Sequence, residues 1–292
     1  MKGEENLWRI LNDKLEMLGA AGRLEEAERV ATTALDLARR AFPSDHPSLA
    51  LSYERLGLIC DQQDRLPEAA TYFKKALEII GRIEPVDARA IYRLARRLAA
   101  LSEVKSDEEV TIGLYEKAIQ AATTLGNIPH SELGALLNNL ALACRRQGQK
   151  ENAERYYLEA LEIYEKQLGS KHSDVAAVLN NLGVFYTNER RFEEAERAHQ
   201  RALAIRQNAK PTLRADVAQS QCNLAVLYHS RLDFTRAEEL YRESIGTWET
   251  IEHPSEDYEI AVGNYADLLR SLGKNRKAAS IEARARKRRA GG

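Results

Sequence analysis

The chain is poor in the residues that redox, metal and membrane functions call for. Its three cysteines, Cys60, Cys144 and Cys222, are too few and too scattered for a disulfide framework or a zinc cluster. Buried core thiols are the expectation. No run approaches the roughly 18 consecutive apolar residues of a membrane helix. The charged start MKGEENLWRI has no signal-peptide apolar core, so a cytoplasmic protein without a membrane span is expected. A net charge of -1 gives no general pull toward nucleic acid or a lipid surface. No aromatic ladder for base stacking accompanies the arginines, which places a nucleic-acid partner behind a protein one. Phosphate loops, HExxH, GxSxG and dinucleotide fingerprints are all missing from the sequence, so no enzyme, no cofactor and no metal site is expected.

What the chain has is repetition. LLNNLALA at 136–143 returns as VLNNLGVF at 178–185, a step of 42 from Asn139 to Asn181. Ala34, Ala76, Ala118, Ala160 and Ala202 keep the same step, each followed by Leu or Ile, and Ser244-Ile245 continues the series. A fixed period of this size marks an array in which each unit buries its apolar face only by stacking on a neighbour. Residues 1–292 are therefore read as one solenoid.

Within a unit the period is helical. Leu137, Leu140, Ala141 and Cys144 lie on one stripe, the turn Gln147-Gly148-Gln149 follows, and Ala153, Tyr156, Tyr157, Ala160, Leu161 and Tyr164 form a second stripe. Each unit is thus an antiparallel helical hairpin and the fold class is all-α. The units run at about 7–42, 48–83, 88–125, 131–168, 173–208 and 215–251, with a degenerate capping hairpin at 258–289 that is slipped by one residue. In the first, Leu7, Ile10, Leu11, Leu15 and Leu18 are expected to face the core. The third, with Thr111 where the others have Ala and a polar turn at 102–109, is expected to pack least well.

Aligned on this step, Leu followed by Gly or Ala recurs at 56/57, 98/99, 140/141, 182/183 and 224/225. Small residues recur at 69, 153, 195 and 237, and aromatics at 73, 115, 157 and 241. This pattern resembles the tetratricopeptide repeat, whose usual unit is about 34 residues. The longer step, LNNLA and ALEIYEKQLGSKHSDVA resemble its kinesin light chain subclass. The resemblance implies a right-handed superhelix whose first helices line a concave groove, and in similar proteins Asn rows at equivalent places clamp peptide backbones.

Two rows of residues on the first helices are the binding candidates. Asn138, Asn139, Asn180, Asn181, Asn223 and Asn264 carry both a donor and an acceptor, so they can pair with the backbone of an extended peptide whatever its side chains. Alternatively, they bond to neighbouring helices and hold the stack together. Arg55, Arg93, Arg96, Arg97, Arg145 and Arg146 precede or flank them, and guanidinium forks favour carboxylates. Asp61, Glu103, Glu54 and Glu132 are the acids near enough to occupy some of these forks instead. The leading function is a protein-interaction module that binds an acidic, extended peptide of a partner. The alternative is a structural scaffold that self-associates through solenoid ends or edges as a homo-oligomer.

Two further features follow the repeat. His46, His130 and His172 fall in phase in the loops between units, and His253 begins HPSED. Helical hairpins stack about 10 Å apart, too far for these residues to share one ion, so the Ser or Asp beside each is expected to cap the next helix. His199 and His229 are single helical residues with no assigned chemistry. Residues 274–292 hold eight Lys or Arg against one acid, Glu282. They read as a polar end cap, or as an anchor for nucleic acid, anionic lipid or an acidic partner.

Overall fold

In the computed structural model, which describes residues 2–103, 107–209, 213–251 and 255–290, every sequence unit becomes a pair of helices. They are α1 (Lys2–Ala20), α2 (Leu24–Ala41), α3 (Pro47–Gln62), α4 (Leu66–Ile80), α5 (Ala88–Glu103), α6 (Glu108–Leu125) and α7 (His130–Arg146). Then follow α8 (Lys150–Leu168), α9 (Ser173–Asn188), α10 (Phe192–Asn208), α11 (Arg214–Ser230), α12 (Phe234–Trp248), α13 (Glu256–Ser271) and α14 (Asn275–Ala290). Among the described residues there is no strand, and no helix is long and apolar enough to cross a membrane. The chain divides into two compact units, Met1–Ala153 and Glu154–Gly292. In the first, each helix from α1 to α7 packs on the next. In the second, α9 to α14 do the same, and α11 also touches α9 and α13. This is the α-solenoid arrangement of stacked helical hairpins.

The six described turns inside hairpins share one geometry. Gly22, Asp64, Gly148, Arg190, Leu232 and Gly273 all adopt left-handed backbone, with φ between 58° and 80°. The N–H of the next residue reaches back to the carbonyl five residues earlier, as from Arg65 to Cys60 at 2.8 Å and from Arg191 to Tyr186 at 2.9 Å. That bond satisfies a carbonyl the helix end leaves open, and the left-handed residue makes it reachable. The spacing is 42 throughout until Gly273, which follows Leu232 by 41, so the slip of the last hairpin is visible in its turn. Position 106 lies outside the described residues.

Between hairpins the caps differ from the expectation. The imidazole Nδ1 of His46 accepts the backbone N–H of Ser48 at 3.1 Å, and that of His172 accepts from Asp174 at 3.2 Å. The histidines are themselves the caps, while Ser48 and Asp174 supply only backbone donors. His130 opens α7 after Pro129 with no side-chain cap, and His253 lies outside the described residues.

Small residues and rings meet at the centre of each hairpin. Ala69, Ala153, Ala195 and Ala237 are fully covered, as are Phe73, Tyr115, Tyr157 and Tyr241 within 2%. His199 belongs to the same ring series, one step after Tyr157 and one before Tyr241, and is 1% exposed. A Cβ built on Gly183 would stand 2.6 Å from the His199 ring, and one on Gly57 would stand 2.7 Å from the Phe73 ring. At these two sites the ring occupies the space a side chain would need. The three cysteines are buried, as expected.

Two sequence expectations fail here. In α1 the buried face is Trp8, Leu15 and Leu18, joined by Asn12, whereas Leu7 and Ile10 are 49% and 61% exposed. Trp8 wins because its ring packs edge-on against Phe42 at 5.4 Å and its indole N–H donates to Ser52 at 2.8 Å, which satisfies a group that burial would otherwise orphan. The third hairpin is not loosely packed: α5 and α6 meet at least as extensively as the helices of the second, fifth and sixth hairpins. Thr111 is fully buried and sends its hydroxyl to the Asp107 carbonyl at 2.8 Å, so it behaves as a small residue.

Gly183→Ala should destabilise by about 1 to 3 kcal/mol, the usual cost of overpacking a filled core. Gly263→Ala, where a Cβ meets nothing within 4 Å, should be neutral or stabilising by up to about 1 kcal/mol. Urea unfolding midpoints of the two variants measure the contrast, and equal effects would contradict this packing.

Candidate peptide-binding faces

In the first compact unit the predicted arginines lie on α3, α5 and α7, and most of them are paired. Arg93 grips Glu54 with both arms, the longer contact being 2.8 Å, and Glu54 is itself only 5% exposed. Arg97 donates to Asp61 at 3.0 Å, Arg146 lies 3.0 Å from Glu108, and Arg55 donates to Glu16 at 2.7 Å. Each of these pairs joins neighbouring hairpins, so four of the six guanidinium groups act within the stack. Arg96 is exposed and sits over the Tyr92 ring at 5.7 Å. Arg145 is half-buried, and its Nε has no acceptor. Neither Arg96 nor Arg145 has a carboxylate partner among the described residues.

The asparagines divide in the same way. Asn138 donates weakly to Asn139 at 3.4 Å, and Asn139 to the Tyr115 hydroxyl, also at 3.4 Å. Both are half-exposed. In the second unit Asn180 is buried. Its amide donates to Ser220 at 3.1 Å, and its carbonyl lies 3.3 Å from Nδ1 of His199. Ser220 also accepts from the largely buried Arg206 at 2.9 Å. Asn180 is thus part of a buried polar network that ties α9, α10 and α11 together. Asn181 and Asn223 are half-exposed on α9 and α11, and Asn264 reaches the Cys222 sulfur at 3.9 Å.

Burial holds His199 well below the ordinary imidazole range, at about 4, and the positive charge of Arg206 adds to the effect. The ring is therefore neutral at physiological pH, and Nδ1–H donates to Asn180.

Sequence reasoning missed a set of bridges between the second helix of one hairpin and the next turn. Glu154 accepts from Arg191 at 2.7 Å and from the Tyr186 hydroxyl at 3.0 Å. Glu196 accepts from Arg231 at 2.8 Å and from Tyr228 at 2.6 Å. Glu238 accepts from Lys274 and Lys277, each at 2.6 Å, and from Tyr265 at 3.3 Å. In the first unit Glu28 accepts from Arg65 at 2.5 Å and Gln63 at 3.2 Å. The cations hold the Glu154 carboxyl below its usual range and draw Glu238 down to about 2. The signal was present in the step of 42 from Glu154 to Glu196 to Glu238 and from Tyr186 to Tyr228.

The basic tail is engaged as well. Beyond Lys274 and Lys277, Arg284 lies 2.9 Å from Glu249, Arg289 lies 3.2 Å from Glu259, and Arg288 donates to the Ile251 carbonyl. These contacts hold α14 against α13 and the end of α12.

A tetratricopeptide repeat profile matches residues 10–80, 87–166 and 174–250. The chain belongs to the tetratricopeptide repeat family. Among solved structures, BtubC (BKLC) from P. vanneervenii is similar at 27% identity over 80% of this chain and 94% of that one, with a TM-score of 0.60. A putative kinesin light chain from P. anserina, with nearly identical tetratricopeptide-like repeats, is similar at 20% identity over 72% and 99%, with a TM-score of 0.54. YrrB, a tetratricopeptide protein with an unusual peptide-binding site, is similar at 18% identity over 80% and 96%, with a TM-score of 0.50. No curated protein sequence matches the chain. In this tetratricopeptide array the ring position of the fifth repeat is His199, where its own neighbouring repeats use Tyr.

That substitution sets a pH dependence. The folded state keeps His199 neutral down to about 4, whereas the unfolded imidazole takes a proton near 6.5. Between those values the unfolded chain binds more protons, so stability falls as pH is lowered through the window, by up to roughly 3 kcal/mol. His199→Phe should remove this part of the slope of unfolding free energy between pH 6.5 and pH 4. Denaturant titrations of both proteins across the window test it, and parallel curves would contradict it.

Proposed function

We propose that this tetratricopeptide array is a non-enzymatic protein-interaction module, and that it binds an extended peptide segment along its first helices. The observation that carries the reading is Arg145, a half-buried guanidinium whose Nε lacks an acceptor and which has no carboxylate partner among the described residues. The Nε itself is covered, so a ligand carboxylate would meet the part of the Arg145 guanidinium that stays exposed. Arg96, exposed on α5, is the second reader. Because Arg55, Arg93, Arg97 and Arg146 are already committed to Glu16, Glu54, Asp61 and Glu108, acidic preference rests on these two residues and not on the whole row. Half-exposed Asn139, on α7 in the same unit, can pair with peptide backbone. The peptide-binding site named for YrrB supports the reading by likeness of fold.

Selection of a displayed random-peptide pool on the wild-type protein should enrich acidic, extended peptides. Arg96→Ala combined with Arg145→Ala should weaken them about tenfold at low salt and less at high salt, with an unchanged melting temperature. Asn139→Ala should weaken binding with little change in salt dependence. Enrichment without acidic preference, or affinity that survives both changes, would overturn the proposal. A mass by light scattering that rises with concentration in the absence of peptide would favour the self-associating scaffold.

A further inference from the structure

The joint between the fifth and sixth hairpins is tied at two places, and one of them runs through a histidine. At the turn end Glu196 on α10 holds Tyr228 and Arg231. At the other end His199 Nδ1 lies 3.3 Å from Asn180 Oδ1, Asn180 donates to Ser220 at 3.1 Å, and Ser220 receives Arg206 at 2.9 Å. Arg206 also donates to the Gln219 side chain at 3.1 Å and to the Asp216 backbone carbonyl at 2.9 Å. The start of α11 is therefore fastened to α9 and α10 by side chains whose acceptors are all uncharged.

The His199 ring has no place for a charge. It is 1% exposed and fills the volume that a side chain on Gly183 would take. From α9 it meets Gly183 and Asn180, and through Asn180 it reaches Ser220 on α11, all of them neutral. The Gly183 carbonyl favours a proton on the ring, but it already accepts the Thr187 hydroxyl at 2.8 Å. Among the described residues, the charged side chain that acts on the ring is the cation Arg206 of its own helix, and Asp216 of α11 acts on Arg206 in turn. His229, the other imidazole of α11, packs against Phe234 and Tyr241 inside its own hairpin. A proton on His199 thus adds a second positive charge to an interior that already holds one, where an uncompensated charge is costly.

We propose that this network is an acid-operated latch between the fifth and sixth hairpins. Protonation of His199 parts it from Asn180, the chain through Ser220 and Arg206 lets go, and the start of α11 swings away from α9 and α10 about the Glu196 bridge. The helices themselves stay intact. In an array held by nearest neighbours, one joint opens without the rest. The sign follows from proton binding: the opened joint gives an imidazole that protonates near 6.5, and the closed one keeps it neutral down to about 4. The open form therefore binds more protons between those values, and opening grows as pH falls through the window.

Hydrogen exchange read by mass spectrometry at pH 7 and pH 5, with each rate divided by the intrinsic rate at that pH, measures the opening. Amides at 214–222 should lose about twentyfold in protection, the ratio that one proton with these two affinities gives, while those of α3 to α6 change little. His199→Phe should abolish the loss at 214–222 while other acid effects remain. If that variant fails to fold, His199→Tyr, the ring used by the repeats on either side, takes its place. Equal loss along the whole chain would overturn the latch and leave only global acid unfolding. Unchanged protection at pH 5, or an acid loss at 214–222 that persists without the imidazole, would overturn it as well.

Discussion

Everything in this array depends on how closely the two helices of a hairpin approach. A fully covered alanine on the second helix and a ring one turn later set that distance, and the Leu-Gly or Leu-Ala pair on the first helix receives the ring. Where the receiving residue is Gly57 or Gly183, the ring stands in the volume of the absent side chain. Such contacts tolerate little change in volume, because interiors are packed as densely as organic crystals. The array can therefore vary its outer residues freely while the inner ones repeat every 42 positions.

The fold was legible because that inner pattern is local and periodic. Hairpin boundaries, the ring series and even the one-residue slip at Gly273 could be read from spacing alone. What spacing could not reveal was competition between partners. Leu7 and Ile10 look like core residues by hydropathy, but Trp8 has both an aromatic neighbour and a hydroxyl acceptor, and that settles which face turns inward. The histidines before α3 and α9 lie in phase with the repeat, yet only geometry tells an imidazole cap from a serine one. His199 was overlooked as a ring because it is not counted among the aromatics.

The candidate site was less legible for a related reason. A row of arginines seen in sequence reads as free charge, although a guanidinium facing the preceding hairpin meets whatever acid stands there. Glu54, Asp61 and Glu108 take three forks within the stack, and Asn180 spends its amide on Ser220 and His199. The residues left for a ligand are those whose opposite number is apolar, aromatic or absent. That selection depends on pairs about 40 residues apart and is invisible in any single unit.

Uneven bridging also has a mechanical consequence. Bridges anchored on Glu154, Glu196 and Glu238 join three successive junctions in the second compact unit, whereas among the described residues of the first Glu28 alone makes this bridge to the next turn. Charged cross-links resist sliding of one hairpin over the next, and apolar contact alone resists it less because it has no preferred direction. The junctions around α5 and α6 are cross-linked elsewhere, by Arg93 on Glu54, Arg97 on Asp61 and Arg146 on Glu108. Resistance to shear therefore persists within each compact unit, while the place of the charged clamp shifts from the turn to the first helices.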